Sequence, residues 1–399
     1  MLVYFALLHA KRILVKIIRM QIHSKLPNVG TTIFTVMSGL AKEHNSINLS
    51  QGFPDFECNP KLLEFAKKYS DHMFNQYAPM PGIIQLREQI AVLMENCYGA
   101  SYNPDTEITV TAGATQGIFT SIAAFINKGD EVIVFEPAYD CYIPAIEVNG
   151  GIAKPISLEY PGFTIDWEKV RKTVNEKTKL ILINSPHNPS GTTLSENDLL
   201  ELQKIVAGTN IIVVSDEVYE HMAFDEKPHQ SVARFKTLAS QSIIVSSFGK
   251  TIHATGWKIG YVAMPKELMV EFRKVHQFLV FSVNHNYQMA LAEYLKDEST
   301  YKGLHRFYQT KRDHFRKLIS GSRFIIEPCS GTYFQLLNYK NISDENDKDL
   351  AIRLTKEKGL ASIPLSVFYT DQKQQHLLRF CFAKKDETLE KAAEIICRL

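Results

Sequence analysis

The chain reads as an α/β protein organised around a mainly parallel sheet. Short apolar runs alternate with helical patterns, each run is followed by a polar or aromatic group, and 45% of the 399 residues are hydrophobic. Alternation of this kind implies strands joined by helices that cover both sheet faces. The length allows a large core divided between two domains.

In chain order the runs are EITVTAG (107–113), EVIVFEP (131–137), LILINSP (180–186), IIVVSDE (211–217), SIIVSS (242–247) and GYVAMP (260–265). Ligands of such sheets bind at the carboxyl ends of the strands. The groups that follow the runs are Gly113-Ala114-Thr115, Pro137-Ala138-Tyr139, Asn188, Asp216 with Tyr219, and Ser247 with Lys250. These groups are expected at one edge.

Composition narrows the partners. Forty-five Lys and Arg balance 43 Asp and Glu, a net +2 without long runs of one sign, so nucleic acid is not an evident partner. The six cysteines, at 58, 97, 141, 329, 381 and 397, form no C-x-x-C pair and no cluster at metal-ligand spacing. A reducing cytoplasm with no structural metal is expected. Residues 1–19 are apolar and basic, but the uncharged run of about nine residues is too short for a bilayer, and its basic residues follow it, the reverse of a signal peptide. They read as an extension, with Met20 as an alternative start.

Gly249-Lys250-Thr251 resembles the end of a nucleotide phosphate loop, which needs a glycine five residues before its Gly-Lys pair. Ile244 stands there, inside an apolar run. Lys250 therefore follows a buried strand after a short turn. Taken singly, the neighbouring groups have ordinary explanations: Gly113 as a turn glycine, Tyr139 as a packed aromatic, Asn188 before Pro189 as a turn former, Asp216 as a helix cap. Together they match one ligand. The helix that opens after Gly113-Ala114-Thr115 would hold a phosphate, Tyr139 would face a ring, and Asp216 would meet a protonated ring nitrogen. Asn188 and Tyr219 would bond a ring oxygen, and the Lys250 amine would condense with an aldehyde. Pyridoxal phosphate has all these parts.

Residues 24–399 resemble the fold-type I, pyridoxal phosphate-dependent aminotransferases of class I/II, in the subgroup of bacterial methionine, kynurenine and glutamine aminotransferases. The motifs are NLSQGFPDF (48–56), NQYAPMPGIIQLRE (75–88), TAGATQG (111–117), NSPHNPSG (184–191), SDEVYE (215–220), SSFGKTIHATGWKIGY (246–261) and LLRFCFAKK (377–385). The resemblance implies that Lys250 is the cofactor-bound catalytic lysine and that Asp216 meets the pyridine nitrogen. Asn188 and Tyr219 would meet the phenolic oxygen, and Tyr139 would stack on the ring. Ala114, Thr115, Ser247 and Lys258 would hold the phosphate, with Lys258 where many relatives have Arg. Tyr77 would reach the phosphate of the neighbouring subunit, which requires a homodimer with shared active sites.

Arg379 would fork the substrate carboxylate, assisted by Asn188 and the Gly52 backbone. The resemblance also implies a large domain at 50–300 and a small one at 20–49 plus 301–399. The expected reaction is ping-pong transfer from a large neutral amino acid to a 2-oxo acid. Methionine is the first candidate donor, because the segments that resemble the family's side-chain pocket, Ile33, Phe34, Phe53, Tyr77 and the 278–281 stretch, are apolar or aromatic, and Ser282 stands where aromatic-preferring relatives can carry a bulkier polar group. A carbon–sulfur β-lyase, or a kynurenine–oxoglutarate aminotransferase, is the alternative on the same scaffold. A DNA-binding regulatory fusion is disfavoured, since residues 1–49 hold no convincing helix-turn-helix.

Overall fold

Backbone pairing in the computed structural model, which describes residues 22–70 and 72–399, explains why distant motifs share one edge. The proposed extension at 1–19 and Met20 lie outside the described residues. Thirteen strands are labelled in chain order: β1 (Ile47–Asn48), β2 (Ile108–Thr111), β3 (Glu131–Glu136), β4 (Ile152–Ser157), β5 (Thr178–Asn184), β6 (Ile212–Asp216), β7 (Ser242–Ser247), β8 (Gly260–Ala263), β9 (Ile325–Ile326), β10 (Phe334–Asn338), β11 (Leu360–Ala361), β12 (Ile363–Pro364) and β13 (Leu377–Cys381).

The main sheet runs in the order β2-β8-β7-β6-β5-β3-β4. Its pairs are parallel except those made by β8, which runs antiparallel to both β7 and β2. This reversal matters for the site. Gly260, the first residue of β8, lies opposite Ser247 at the end of β7 and opposite Thr111 at the end of β2. The residues entering β8 therefore meet the ends of β2 and β7.

All six runs read from the sequence contain strands of this sheet, and their Val and Ile residues are buried on both faces. β4 was not among them. It is the edge strand, partly exposed, and carries Pro155, which an edge tolerates because one of its sides needs no ladder donor. On one face the helix Ala114–Phe125 packs on β7 and β8, and the helix Lys266–Leu279 packs over it.

A second, antiparallel sheet has the order β12-β13-β10-β9. β1 pairs in parallel with β11, tying the segment after helix Ile33–Glu43 to the C-terminal part of the chain. Helix Asp386–Cys397 packs against helix Leu304–Leu318 beside this sheet. Among the described residues no helix is long and apolar enough to cross a membrane.

Candidate active site

Between the carboxyl edge of the main sheet and the second sheet lies a cavity of about 340 Å³. Gly52, Ala114, Thr115, Tyr139, Asn188, Asp216, Tyr219, Ser247, Lys250, Lys258 and Arg379 all line it. Of the site residues named from the sequence, Tyr77 alone lies elsewhere. It is 81% exposed on the surface, with its ring 5.2 Å from that of Phe281.

Lys250 is placed by the single helical turn Phe248–Thr251 that follows β7. Its amine donates to the Tyr333 hydroxyl at 2.8 Å and to the Gly52 carbonyl at 3.0 Å. Burial lowers the amine to about 8, and the positive charges of Arg379 and Lys258 push the same way. A sizeable fraction is therefore neutral near physiological pH, as a nucleophile or base requires.

Asp216 ends β6 in the sheet interior. Burial raises its carboxyl to about 6, opposed by hydrogen bonds from the Tyr142 hydroxyl at 2.6 Å and the Val218 amide at 3.2 Å. Both donors are neutral. A buried carboxylate held in this way fits a cationic ring nitrogen. Asn184 bonds the Asp216 carbonyl at 2.8 Å and accepts from the Asn188 amide at 2.8 Å, so it orders the two strand ends relative to each other.

At one end of the cavity, Gly113 precedes the helix Ala114–Phe125 with φ +76°, a conformation natural to glycine. The Lys258 side chain runs past it: a Cβ at Gly113 would lie 3.2, 3.3 and 3.4 Å from Lys258 Cδ, Cε and Nζ. Gly260 is needed for a similar reason, since a Cβ there would stand 2.5 Å from the Ser246 carbonyl. First-turn amides, the positive helix end and a lysine together suit a phosphate.

At the other end Arg379, on β13, is 1% exposed. It donates to Asn188 Oδ1 at 2.7 Å and to the Ser50 carbonyl at 3.1 Å. The guanidinium lies 3.9 Å from the Phe334 ring centre, with Phe34 and Phe368 beyond it. Its buried Nε has no hydrogen-bond partner among the described residues. A desolvated guanidinium with donors to spare is suited to a carboxylate.

Three residues of this arrangement escaped sequence reasoning. Tyr142 stands three positions after Tyr139, Asn184 opens the NSPHNPSG motif, and Tyr333 lies in GTYFQLL, inside the 301–399 segment expected as part of the small domain. The signal existed within or beside the motifs, but only the contacts reveal what each supports. Of the apolar residues expected in the substrate pocket, Phe34 and Phe53 line the cavity, whereas Phe278, Leu279 and Phe281 lie exposed on the surface, Phe281 against Tyr77. Ser282 bonds the Ala78 carbonyl at 2.9 Å beside that same surface.

A buried lysine amine, a buried carboxylate at a neighbouring strand end and a helix start for a phosphate, on a mainly parallel sheet, define a pyridoxal phosphate enzyme of fold type I. Comparison with known proteins resolves the class further. The model of the family described as aminotransferase class I and II matches residues 44–396, and the chain belongs to that family. It is 48% identical to a methionine aminotransferase of Escherichia coli over 94% of this chain and 98% of that protein. It is 34% identical to a kynurenine–oxoglutarate transaminase of Dictyostelium discoideum, covering 93% and 94% of the two chains.

Among solved structures, one from Escherichia coli identified as having a methionine aminotransferase function superposes with a TM-score of 0.93 at 47% identity, over 96% of this chain and all (100%) of that one. An aspartate aminotransferase mutant of Thermus thermophilus superposes with a TM-score of 0.87 at 27% identity, over 95% and 100%. The protein is thus a transaminase that uses pyridoxal phosphate and acts on amino and 2-oxo acids.

Proposed function

We propose that the amino donor is a large neutral amino acid, methionine foremost, and that the enzyme works as a cytoplasmic homodimer. The lining of the cavity carries this reading. Phe34, Phe53 and Phe334 line the cavity, Phe34 and Phe334 against Arg379, and the only cations among the described lining residues are Lys250, Lys258 and Arg379. An acidic substrate side chain would need a further cation, whereas aromatic walls favour a flexible thioether. The name of the Escherichia coli relative supports the same donor.

In this reading Arg379 forks the substrate carboxylate, with Asn188 and the Gly52 backbone beside it. Lys258, Ser247 and the Ala114 and Thr115 groups would hold the phosphate, Tyr139 would face the ring, and Asn188 and Tyr219 would bond its phenolic oxygen. Pyridoxal phosphate, when bound, supplies an aldehyde to carry the amino group and a ring to accept the electron pair left by proton loss. Asp216 holds the proton on the ring nitrogen. Lys250 would anchor the cofactor, and its free Nζ would serve as the base that takes the substrate α-proton.

The homodimer is supported by the exposed apolar surface at Tyr77, Phe278 (90% exposed), Leu279 and Phe281, which a second copy would cover while Tyr77 reaches the neighbouring site. Unpaired cysteines accord with the cytoplasm. The division at residues 50 and 300 is supported by the β1–β11 pairing, which joins the N-terminal segment to the C-terminal sheet. The test is a panel of amino donors against several 2-oxo acids, with ammonia and pyruvate release followed in parallel. Methionine should give the highest kcat/KM. Aspartate as the best donor would overturn the apolar pocket, and release of ammonia and pyruvate in place of transfer would identify a β-lyase.

A further inference from the structure

Tyr333 is fully buried, yet its hydroxyl sits at the centre of the reacting groups. It accepts from Lys250 Nζ at 2.8 Å and donates to the Gly52 carbonyl, to which Lys250 also donates. The three atoms form a closed triangle around the lysine amine. The Tyr333 ring lies edge-on to Tyr219 with centroids 5.2 Å apart, and Lys250 Nζ is 5.5 Å from the Tyr333 ring centre.

The backbone fixes this hydroxyl firmly. Thr332, just before it, holds φ +66° and its amide donates to the Met222 carbonyl at 3.0 Å. Gly331 donates to the Gly191 carbonyl at 2.9 Å and packs so closely on Pro186 that a Cβ would come within 2.7 Å. On the far side Phe382 donates to the Tyr333 carbonyl at 2.9 Å. A left-handed non-glycine residue persists only where its surroundings hold it, and such residues cluster at functional sites. The neighbouring Tyr308 offers the contrast: it too is fully buried and packs on the Tyr333 ring at 5.5 Å, but its hydroxyl has no partner among the described residues.

We propose that Tyr333 is a positioning residue for the reaction, holding the free Lys250 amine against the Gly52 carbonyl so that its lone pair stays aimed at the substrate α-carbon during proton transfer. This rests on the reading of Lys250 given above. The proton balance is simple. The α-carbon would lose a proton to the Nζ lone pair, and Nζ would deliver that proton to the cofactor carbon that takes over the amino group; Tyr333 gains and loses none. Burial raises the Tyr333 phenol far above its ordinary value, so the hydroxyl remains neutral throughout. Its part is to restrict rotation of an amine that would otherwise turn freely about its last bond.

The test compares Y333F with Y308F, which removes a buried hydroxyl from the same cluster without touching Lys250. In Y333F, kcat should fall by about tenfold with little change in the donor KM, and the isotope effect from an α-deuterated donor should rise, because proton transfer becomes slower relative to other steps. Y308F should match the wild type in both. A second readout does not depend on turnover. In holoenzyme carrying the amine form of the cofactor, where Lys250 is free, the pH profile of Lys250 acetylation by acetic anhydride is followed by peptide mass spectrometry. Loss of an acceptor for the ammonium should move the Y333F profile to lower pH.

An unchanged acetylation profile together with unchanged kcat and isotope effect would overturn the proposal. So would equal effects in Y333F and Y308F, which would mean that any buried hydroxyl here acts through packing. If the wild type transferred no amino group from any donor, the function proposed above would fail. The acetylation profile would still report whether Tyr333 governs the lysine.

Discussion

The Gly113 end and the Arg379 end of the cavity both present positive charge, but they are built differently. Near Gly113 the charge comes from a helix start and from Lys258, a flexible point charge lying along a glycine. Near Arg379 it comes from a rigid fork, stacked 3.9 Å from Phe334 and tied to Asn188. A cofactor phosphate stays in place, so redundant backbone donors suffice. A substrate carboxylate arrives and leaves at every turnover, so its partner must be preorganised and desolvated. Between the two ends lie Asp216 and Lys250, with carboxyl and amine brought to about 6 and about 8 by burial.

The largest break in this comparison is expected midway between the ends. Asp216→Asn should keep the fold while kcat falls about 10²–10³-fold, since a neutral amide cannot hold a proton on the ring nitrogen. Without the cofactor, where no ring cation faces it, the Asp216 carboxyl takes up a proton as pH drops through about 6, whereas a bound pyridinium would hold it ionised to lower pH. The cofactor-free protein therefore shows the cost of this carboxylate in its stability. Burial raises the folded-state value of Asp216, so its contribution favours folding while the group is protonated and is lost as pH rises through about 6. Above that, the shift from 3.8 corresponds to about 3 kcal/mol. Cofactor-free Asp216→Asn should therefore melt higher than cofactor-free wild type at neutral pH, with the gap closing at acid pH; equal melting at both would show that the carboxylate is not strained.

Arg379→Lys comes next. A buried lysine keeps the charge but loses the fork and the stacking on Phe334, so kcat/KM for the donor should fall about a hundredfold while cofactor retention, read by absorbance after dialysis, stays constant. Loss of cofactor instead would mean that Arg379 supports the ring side of the site. The smallest effect belongs to Lys258→Arg. The Gly113 end does not rely on one fork, so cofactor affinity should change only a few-fold. A change as large as that in Arg379→Lys would show that the two ends are built alike.

The same contrast explains what could be read from sequence. Along the main sheet, each strand end places its functional group a few residues after an apolar run, as Asp216 follows β6 and Lys250 follows β7, so local pattern and chemistry appear together. β4 eluded this reading because an edge strand with Pro155 lacks the continuous apolar signature. The C-terminal part was harder. Tyr333 and Arg379 sit 46 positions apart, just before β10 and on β13 respectively, and meet Lys250 and Asn188 only through tertiary packing. Arg379 was found through family resemblance, and Tyr333 was passed over because a tyrosine beside a strand is ordinarily core. Tyr142 was hidden similarly: nothing local distinguishes a phenol that fills space from one that holds Asp216.

The account turns on Lys250 being the residue that carries the cofactor. Borohydride reduction of the holoenzyme, followed by proteolysis and peptide mass spectrometry, tests this most directly. The predicted result is a single pyridoxyl group on Lys250 and no label in Lys250→Ala, which should also lose roughly ten-thousandfold in turnover. A pyridoxyl group on Lys258 or any other lysine, with Lys250 unmodified, would contradict it.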